Sequence, residues 1–422
     1  MSKVTILCPY CFQPFDRNEV EMQCMNYAQK QEMTETGAYG KVPVCKPDYD
    51  EKFNNHWGQQ TKVKYIFKPT LSFKEKLGWK PIQEKPCPHC STSTQRFVCP
   101  HCHNWLPVEM IEKGSEIISV IGGPASGKSN YIVSLIHQLM KYQARLGLNV
   151  TLQQVGRNDE EKTSNMYRVA KQKIFENKEA LPKTQEAKNP IPWIIRLEST
   201  TTKKAVYLVF YDTAGESFKN TEVMERDALY FRYSKAVIVA FDTLAIPKIK
   251  RVLEMNNIEN VTEAYDYKEM WNTIKVFHEN HKHYKMTEHP YAFVFTKFDA
   301  VIDNCDDLNC NVDNFIEDDN FKNSSYLTGQ DSRVSKEELK NNSDMIFSYL
   351  VDQDIWDEES LALNIRQLWG DNGMFFGVSA LGGMCDSTLS IQTKSEEVKP
   401  IRVLDPLVWI LIKLGDFGIM CK

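Results

Sequence analysis

Eight of the chain's twelve cysteines crowd its first quarter, at Cys8, Cys11, Cys24, Cys45, Cys87, Cys90, Cys99 and Cys102. Three pairs are C-x-x-C: CPYC at Cys8/Cys11, CPHC at Cys87/Cys90 and CPHC at Cys99/Cys102. That spacing lets a tight turn aim two thiolates at one Zn2+, with proline fixing the backbone inside it. Cys87, Cys90, Cys99 and Cys102 read together as C-x2-C-x8-C-x2-C, a zinc-ribbon pattern slightly shorter than usual. Cys24 and Cys45 are then the nearest thiols to complete a second four-thiolate site with Cys8 and Cys11. Spacing does not report which ends meet, so a nested arrangement also stays open, with Cys8/Cys11 joining Cys99/Cys102 and Cys24/Cys45 joining Cys87/Cys90. His89, His101 and His103 are expected beside these sites rather than in them, because four thiolates already close a structural site.

A second chemistry begins at residue 122. GGPASGKS, Gly122 to Ser129, matches G-x-x-x-x-G-K-[ST] and lies between an apolar, β-branched run (IISVI, 117 to 121) and the helical stripe Ile132, Leu135, Ile136, Leu139. Gly122, Gly123, Ala125, Ser126 and Gly127 form the phosphate cradle. Lys128 is placed to neutralise β- and γ-phosphate charge, Ser129 to ligate Mg2+, and Asn130 follows as the helix starts. The apolar run AVYLVFY then ends in Asp212-Thr213-Ala214-Gly215, where Asp212 suits a carboxylate supporting Mg2+ and Gly215 offers an N–H to the γ-phosphate.

The base is read further on. YAFVF (291 to 295) ends in Thr296-Lys297-Phe298-Asp299. A carboxylate at Asp299 accepts two hydrogen bonds from guanine N1 and N2, a donor pair that adenine lacks, while the Lys297 stem packs over the ring. Ser379-Ala380-Leu381 follows FFGV, where a short loop brings backbone N–H toward the guanine oxygen. The expected ligands are GTP, Mg2+ and, in the cysteine region, Zn2+.

These groups need a frame. Strand-like runs at 117–121, 193–197, 205–211, 235–242, 291–295 and 375–378 alternate with helical patterns. This predicts an α/β P-loop domain with a mostly parallel sheet flanked by helices, preceded by a small zinc-ribbon domain. The boundary is placed at residues 113/114, giving a zinc-binding domain over 1–113 with an insert between knuckles and a P-loop domain over 114–422. The latter is expected to carry a surface insert at about 300–370 that contacts a partner. Between knuckles, TKVKYIFKPTLSFKEKLGWK interleaves six lysines with aromatics. An amphipathic hairpin with solvated lysines is its preferred reading, and phosphate and base binding the other. A composition of 42% hydrophobic and 25% charged residues excludes disordered and fibrous classes, and a net charge of −5 provides no global field for nucleic acid or membrane. The late apolar run LVWILIKL is far below the ~20 residues of a span. With no apolar signal core at the N-terminus, a cytoplasmic chain without a membrane span is expected.

The order GGPASGKS, DTAG, TKFD, SAL resembles the translation-factor-related and Ras-like P-loop GTPases. CPYC…CPHCHNWLP joined to GGPASGKSNY looks like the second of the double-GTPase families of bacterial conflict systems. That resemblance implies a GTP-dependent switch with hydrolase activity, a second GTPase or effector protein as partner, and a role in antiviral defence. Two departures stand out. Glu216 follows Gly215 where Ras-like enzymes use Gln to orient water, which implies slow turnover alone and stimulation by a partner. Thr184, in LPKT, is the candidate switch threonine for Mg2+, with Thr163 and Thr200 to Thr202 as rivals. A competing reading makes the zinc module a nucleic-acid- or protein-binding element beside a degenerate nucleotide domain.

Overall fold

The computed structural model describes the chain except residues 1–4, 34–38, 59, 114–116, 124, 155–162, 183–190, 211–233, 256–266, 281–284, 306, 309–318, 353–360, 394 and 416–417. It divides into two units, Met1–Glu116 and Ile117–Lys422.

The amino-terminal unit is built of short antiparallel pieces, too small to hold together by core burial alone. Thr5–Leu7 pairs with Pro14–Asp16, Lys85–Pro86 with Ser93–Thr94, and Phe97–Val98 with Trp105–Leu106, so each C-x-x-C pair is the turn of its own hairpin. A four-stranded sheet runs in the order Trp105–Leu106, Phe97–Val98, Glu21–Gln23, Ile66–Phe67, over buried Ile6, Val20, Met22, Phe97 and Leu106. The lysine-rich stretch 61–80 is not the expected hairpin. Lys62–Val63 pairs with Asp48–Tyr49 and Ile66–Phe67 with Glu21–Gln23, so both strands take partners from earlier segments, and the remainder forms the short helix Phe73–Lys76.

In the second unit we label β1 Ile118–Gly122, α1 Lys128–Tyr142, β2 Leu148–Leu152, α2 Thr163–Lys171, β3 Trp193–Ser199, β4 Ala205–Phe210, β5 Ala236–Asp242, α3 Pro247–Met255, α4 Tyr267–Asn280, β6 Tyr291–Thr296, α5 Lys336–Asp352, α6 Leu361–Trp369, β7 Gly373–Gly377, β8 Met384–Cys385, β9 Ile391–Gln392 and α7 Asp405–Leu414. β1, β5, β6 and β7 form a parallel four-stranded sheet in that order, flanked by helices, and β2, β3 and β4 form an antiparallel ribbon whose last strand lies alongside β1. Every residue of β1, β5 and β6 is buried, which is why these strands read as unbroken apolar runs rather than alternating ones. One face, with Ile118, Val120, Ile238 and Val294, packs with Ile132 and Leu135 of α1 and with Leu407 to Leu411 of α7. On the other, Tyr291 and Phe293 meet Trp369 of α6, which in turn touches Trp271 of α4.

Helices α5 and α6 fall in the stretch expected as a surface insert, yet Ile346, Leu350, Ile365 and Trp369 are buried and the Ser343 hydroxyl accepts from Phe375 N–H of β7. They are layer helices covering the sheet edge. The junction before α7 is tied by charge. Arg402 donates to Asp405 at 2.7 Å and to Glu338 at 3.2 Å, while Asp405 also accepts from the Ser324 and Tyr326 hydroxyls at 2.5 and 2.7 Å. The Arg402 and Asp405 side chains are only 5% and 2% exposed. Removing one partner would leave an uncompensated buried charge, so Asp405→Ala should destabilise the unit by roughly 3–5 kcal/mol in urea unfolding. A loss below about 1 kcal/mol would show the network to be dispensable.

Candidate functional sites

The three knuckles share one backbone pattern. Cys8, Cys87 and Cys99 each donate their N–H to the carbonyl five residues on (Gln13, Thr92, Asn104) and accept at their own carbonyl from the residue four on (Phe12, Ser91, His103). Phe12, Ser91 and His103 all sit at positive φ, 53° to 58°, the left-handed step that closes each loop. Inside the loops Tyr10 N–H and His101 N–H point at the Cys8 and Cys99 sulfurs, at 3.5 and 3.4 Å, as donors that stabilise thiolate.

Two four-cysteine groups result: Cys8, Cys11, Cys99 and Cys102, and Cys24, Cys45, Cys87 and Cys90, the sulfurs of each lying within 4.8 Å of one another. Cys8–Cys102, Cys11–Cys99 and Cys24–Cys90 are 3.6, 3.8 and 3.5 Å apart. Four thiolates bound tetrahedrally at about 2.3 Å would be ~3.8 Å apart, so both groups have the size and chemistry of a structural zinc site. The pairing is the nested one, and the contiguous set Cys87, Cys90, Cys99, Cys102 does not assemble. Its eight-residue spacer is a return strand, a link and an outgoing strand, and an extended run of that length spans up to about 26 Å. Burial, with the neighbouring cysteines of the group adding to it, pushes the Cys8 and Cys102 thiols well above their usual range; a bound dication would reverse that preference. The histidines stand outside both groups. His89 stacks on Tyr65, and His103 bridges Asp50 and Glu21 at 2.6 and 2.7 Å. Burial works against charge on His103, but these two carboxylates outweigh it and raise its pKa.

The second site lies where β1, β5, β6 and β7 end. Gly122 closes β1 so near to β5 that a Cβ there would lie 2.4 Å from the Ala240 carbonyl, and Gly127 starts α1 at φ +71°. Lys128, buried, donates to Gly122 O and Gly123 O at 2.8 Å each and reaches Ser126 Oγ at 3.5 Å, curled over its own loop. Ser126 Oγ bonds Gly123 O, and Ser129 is half-buried on the first turn of α1. Asn130 turns its side-chain oxygen to Leu181 N–H, holding the segment that runs toward residue 183.

Thr296 joins this loop to the base box: its hydroxyl lies 2.8 Å from Ser126 O and 3.0 Å from Phe241 O. Lys297, at φ +55°, pairs at 2.6 Å with fully buried Asp242, which also caps the turn at Leu244 N–H. The pair holds the Lys297 stem within 4.0 Å of where a Gly127 side chain would begin. Asp299 is 4% exposed, and its Oδ2 has no hydrogen-bond partner among the described residues. Burial raises its pKa to about 6 despite a bond from Ser379 that lowers it. Ser379 N–H is committed to Ile401 O and its hydroxyl accepts from Gly382 N–H; Ala380 O accepts from Ser134 of α1, and Leu381 packs between the unit's two apolar clusters.

Thr184, Asp212, Gly215 and Glu216 lie outside the described residues, as does the rest of the DTAG region. Two contributions escape a motif search. Asp242 ends KAVIVAFD, an acid closing an apolar run beside the phosphate loop, and only that contrast marks it. The β8–β9 hairpin, with Ala180 N–H on Leu389 O and Ile391 N–H on Lys178 O, carries no signature at all.

The nested pairing makes a specific prediction. The purified chain should hold two Zn2+, and a Cys24→Ser/Cys87→Ser variant should lose about one while Cys87→Ser/Cys99→Ser loses both. Elemental analysis showing the reverse pattern would restore the contiguous ribbon.

Against known proteins, the description Double-GTPase 2 matches residues 116–278. That stretch carries the phosphate loop and β1 to β5 and stops before the base box. A curated relative, "Putative ESX-1 scaffolding and assembly protein SaeC" of Mycolicibacterium smegmatis, is 27% identical over 160 residues, 36% of this chain and 40% of its own length. The chain thus spans well under half of that relative. With the strand order and phosphate-loop sequence already described, the matched segment is similar to the Double-GTPase 2 family over residues 116–278.

Proposed function

We propose that this chain is a GTP-binding molecular switch that hydrolyses GTP with Mg2+, slowly alone and faster when a partner completes the site. The observation that carries the guanine reading is Asp299: a buried carboxylate with an unsatisfied oxygen, at the end of β6, next to a loop anchored to the phosphate-binding helix. A buried acceptor of that kind calls for donors, and guanine N1–H and N2–H supply the pair. Lys297, fixed by Asp242, lays its stem along one wall, and Thr296 keeps that wall in register with the phosphate loop.

On the phosphate side the backbone of Gly122 to Ser129 would hold the β-phosphate and Lys128 would exchange its loop carbonyls for phosphate oxygens. Ser129 together with Asp212 and Thr184 would hold Mg2+, which supplies charge neutralisation at the transferring group when bound. Gly215 would orient to the γ-phosphate, with Glu216 in place of a water-positioning Gln. The double-GTPase family points to a second GTPase as first partner and to bacterial conflict as setting. The scaffolding and assembly named for the SaeC relative likewise favours protein partners.

Asp299 sets a pH dependence. A carboxylate whose folded-state pKa is raised stabilises the protein while protonated and loses that contribution as pH climbs through about 6. The ionised form, which guanine needs, therefore dominates only above that value. GDP affinity measured by calorimetry should weaken as pH falls below about 6. Asp299→Asn should weaken it by about 10²- to 10⁴-fold, flatten the pH profile and shift preference toward xanthine nucleotides. Equal GDP and ADP affinities in the unmodified chain would overturn the guanine reading.

The catalytic half is tested separately. Lys128→Ala should abolish nucleotide binding or turnover while zinc content stays unchanged. Single-turnover hydrolysis by the unmodified chain should be slow and rise by up to ~10³- to 10⁵-fold with the partner GTPase if an arginine is supplied in trans. A fast rate indifferent to any partner would mean that Glu216 and its neighbours already form a complete set.

A further inference from the structure

One feature of the amino-terminal unit serves neither the cysteine groups nor the nucleotide cleft. From Ser72 to Pro81 every residue except Glu75 is exposed, and three are large and apolar: Phe73 at 68%, Leu77 at 45% and Trp79 at 57%. Phe73 and Trp79 meet edge to face, 5.9 Å between centroids, so they form one wedge rather than two separate rings. Lys74, Lys76 and Lys80 surround the wedge. The segment's single acid, Glu75, is buried beneath it.

The tip is held from below. Ser72 and Glu75 close a capping box, and the Glu75 carboxylate also accepts from Gln83 N–H at 2.9 Å and from Lys85 at 2.9 Å. Arg17, itself buried, donates to Glu75 O and Lys80 O and pairs with Glu112 at 2.6 Å. With both ends fixed, the apolar side chains cannot turn inward, and water remains in contact with a hydrophobic point ringed by positive charge.

We propose that this tip docks on an anionic lipid surface, Phe73, Leu77 and Trp79 entering the interfacial layer and Lys74, Lys76 and Lys80 meeting headgroup phosphates. The charge is complementary, three cations with no exposed carboxylate between them, and each is drawn to such a surface within a Debye length. The wedge is the kind of group that partitions at the headgroup boundary, where aromatic side chains concentrate. A protein partner fits less well, since a ten-residue tip supplies far less than the ~800 Å2 a side of a stable interface. Single-stranded nucleic acid fits less well too: Leu77 has no stacking face, and Trp79 is engaged edge to face by Phe73. Docking of this kind needs no spanning helix, and none of the described helices is long and apolar enough to be one.

The test is co-sedimentation of the full chain with phosphatidylcholine vesicles, with and without phosphatidylglycerol. Binding is expected only to the anionic vesicles and should fall as salt rises. Brominated acyl chains should quench a fraction of the tryptophan fluorescence that is lost in Trp79→Phe. Phe73→Ser/Trp79→Ser should weaken binding at least roughly tenfold, and Lys74→Gln/Lys76→Gln/Lys80→Gln should remove most of the salt dependence. Because these side chains are exposed, zinc content should be unchanged in all variants. No sedimentation with anionic vesicles, binding that ignores the tip variants, or a tip-dependent gain for a single-stranded oligonucleotide instead of vesicles would overturn the proposal.

Discussion

Parallel register across four strands determines where the chemistry of the second unit can be. Gly122 of β1 stands opposite Ala240 of β5, Asp242 opposite Thr296 of β6, and Phe295 opposite Gly377 of β7. All four strands therefore end at one edge, and the phosphate loop, the Asp242 turn, the base box and the SAL loop leave from there. The hydroxyl of Thr296 makes this alignment rigid by reaching the carbonyls of Ser126 and Phe241 at once.

The amino-terminal unit solves a different problem. Its strands are two or three residues long around the knuckles, and the two four-cysteine groups draw on segments up to 94 residues apart in sequence. Crosslinking by metal would do there what a larger core does in the second unit. In the nested pairing each bound ion would join an early segment to a late one.

Much of this was legible in the residues. Apolar β-branched runs ending in Gly122, Asp242 and Thr296 gave their strands to within a residue, because strands buried on both faces leave no alternation to misread. In the loop sequence, Gly122 answers a close approach to the Ala240 carbonyl that no side chain would fit, and Gly127 a positive φ that glycine adopts without strain. Cysteine pairing was not legible, since local spacing carries no information on which hairpins approach. Helices α5 and α6 lie in the stretch expected as an insert, and the acidic, Asn-rich stretch before them disguises the buried stripe of Ile346, Leu350, Ile365 and Trp369. The fixing of Lys297 by Asp242 also lay beyond reach, as it depends on two adjacent strands ending at the same height.

In the function proposed, Asp299 reads the base while Lys128 reads the phosphates, with Thr296 between the two. The most direct measurement is a structure of the chain with GDP and Mg2+ bound. It should show both Asp299 carboxylate oxygens within hydrogen-bond distance of guanine N1 and N2, the Lys297 stem along the ring, and the Lys128 ammonium moved from the Gly122 and Gly123 carbonyls onto phosphate. A nucleotide whose base lies away from Asp299, with Lys128 still curled on its own loop, would contradict it.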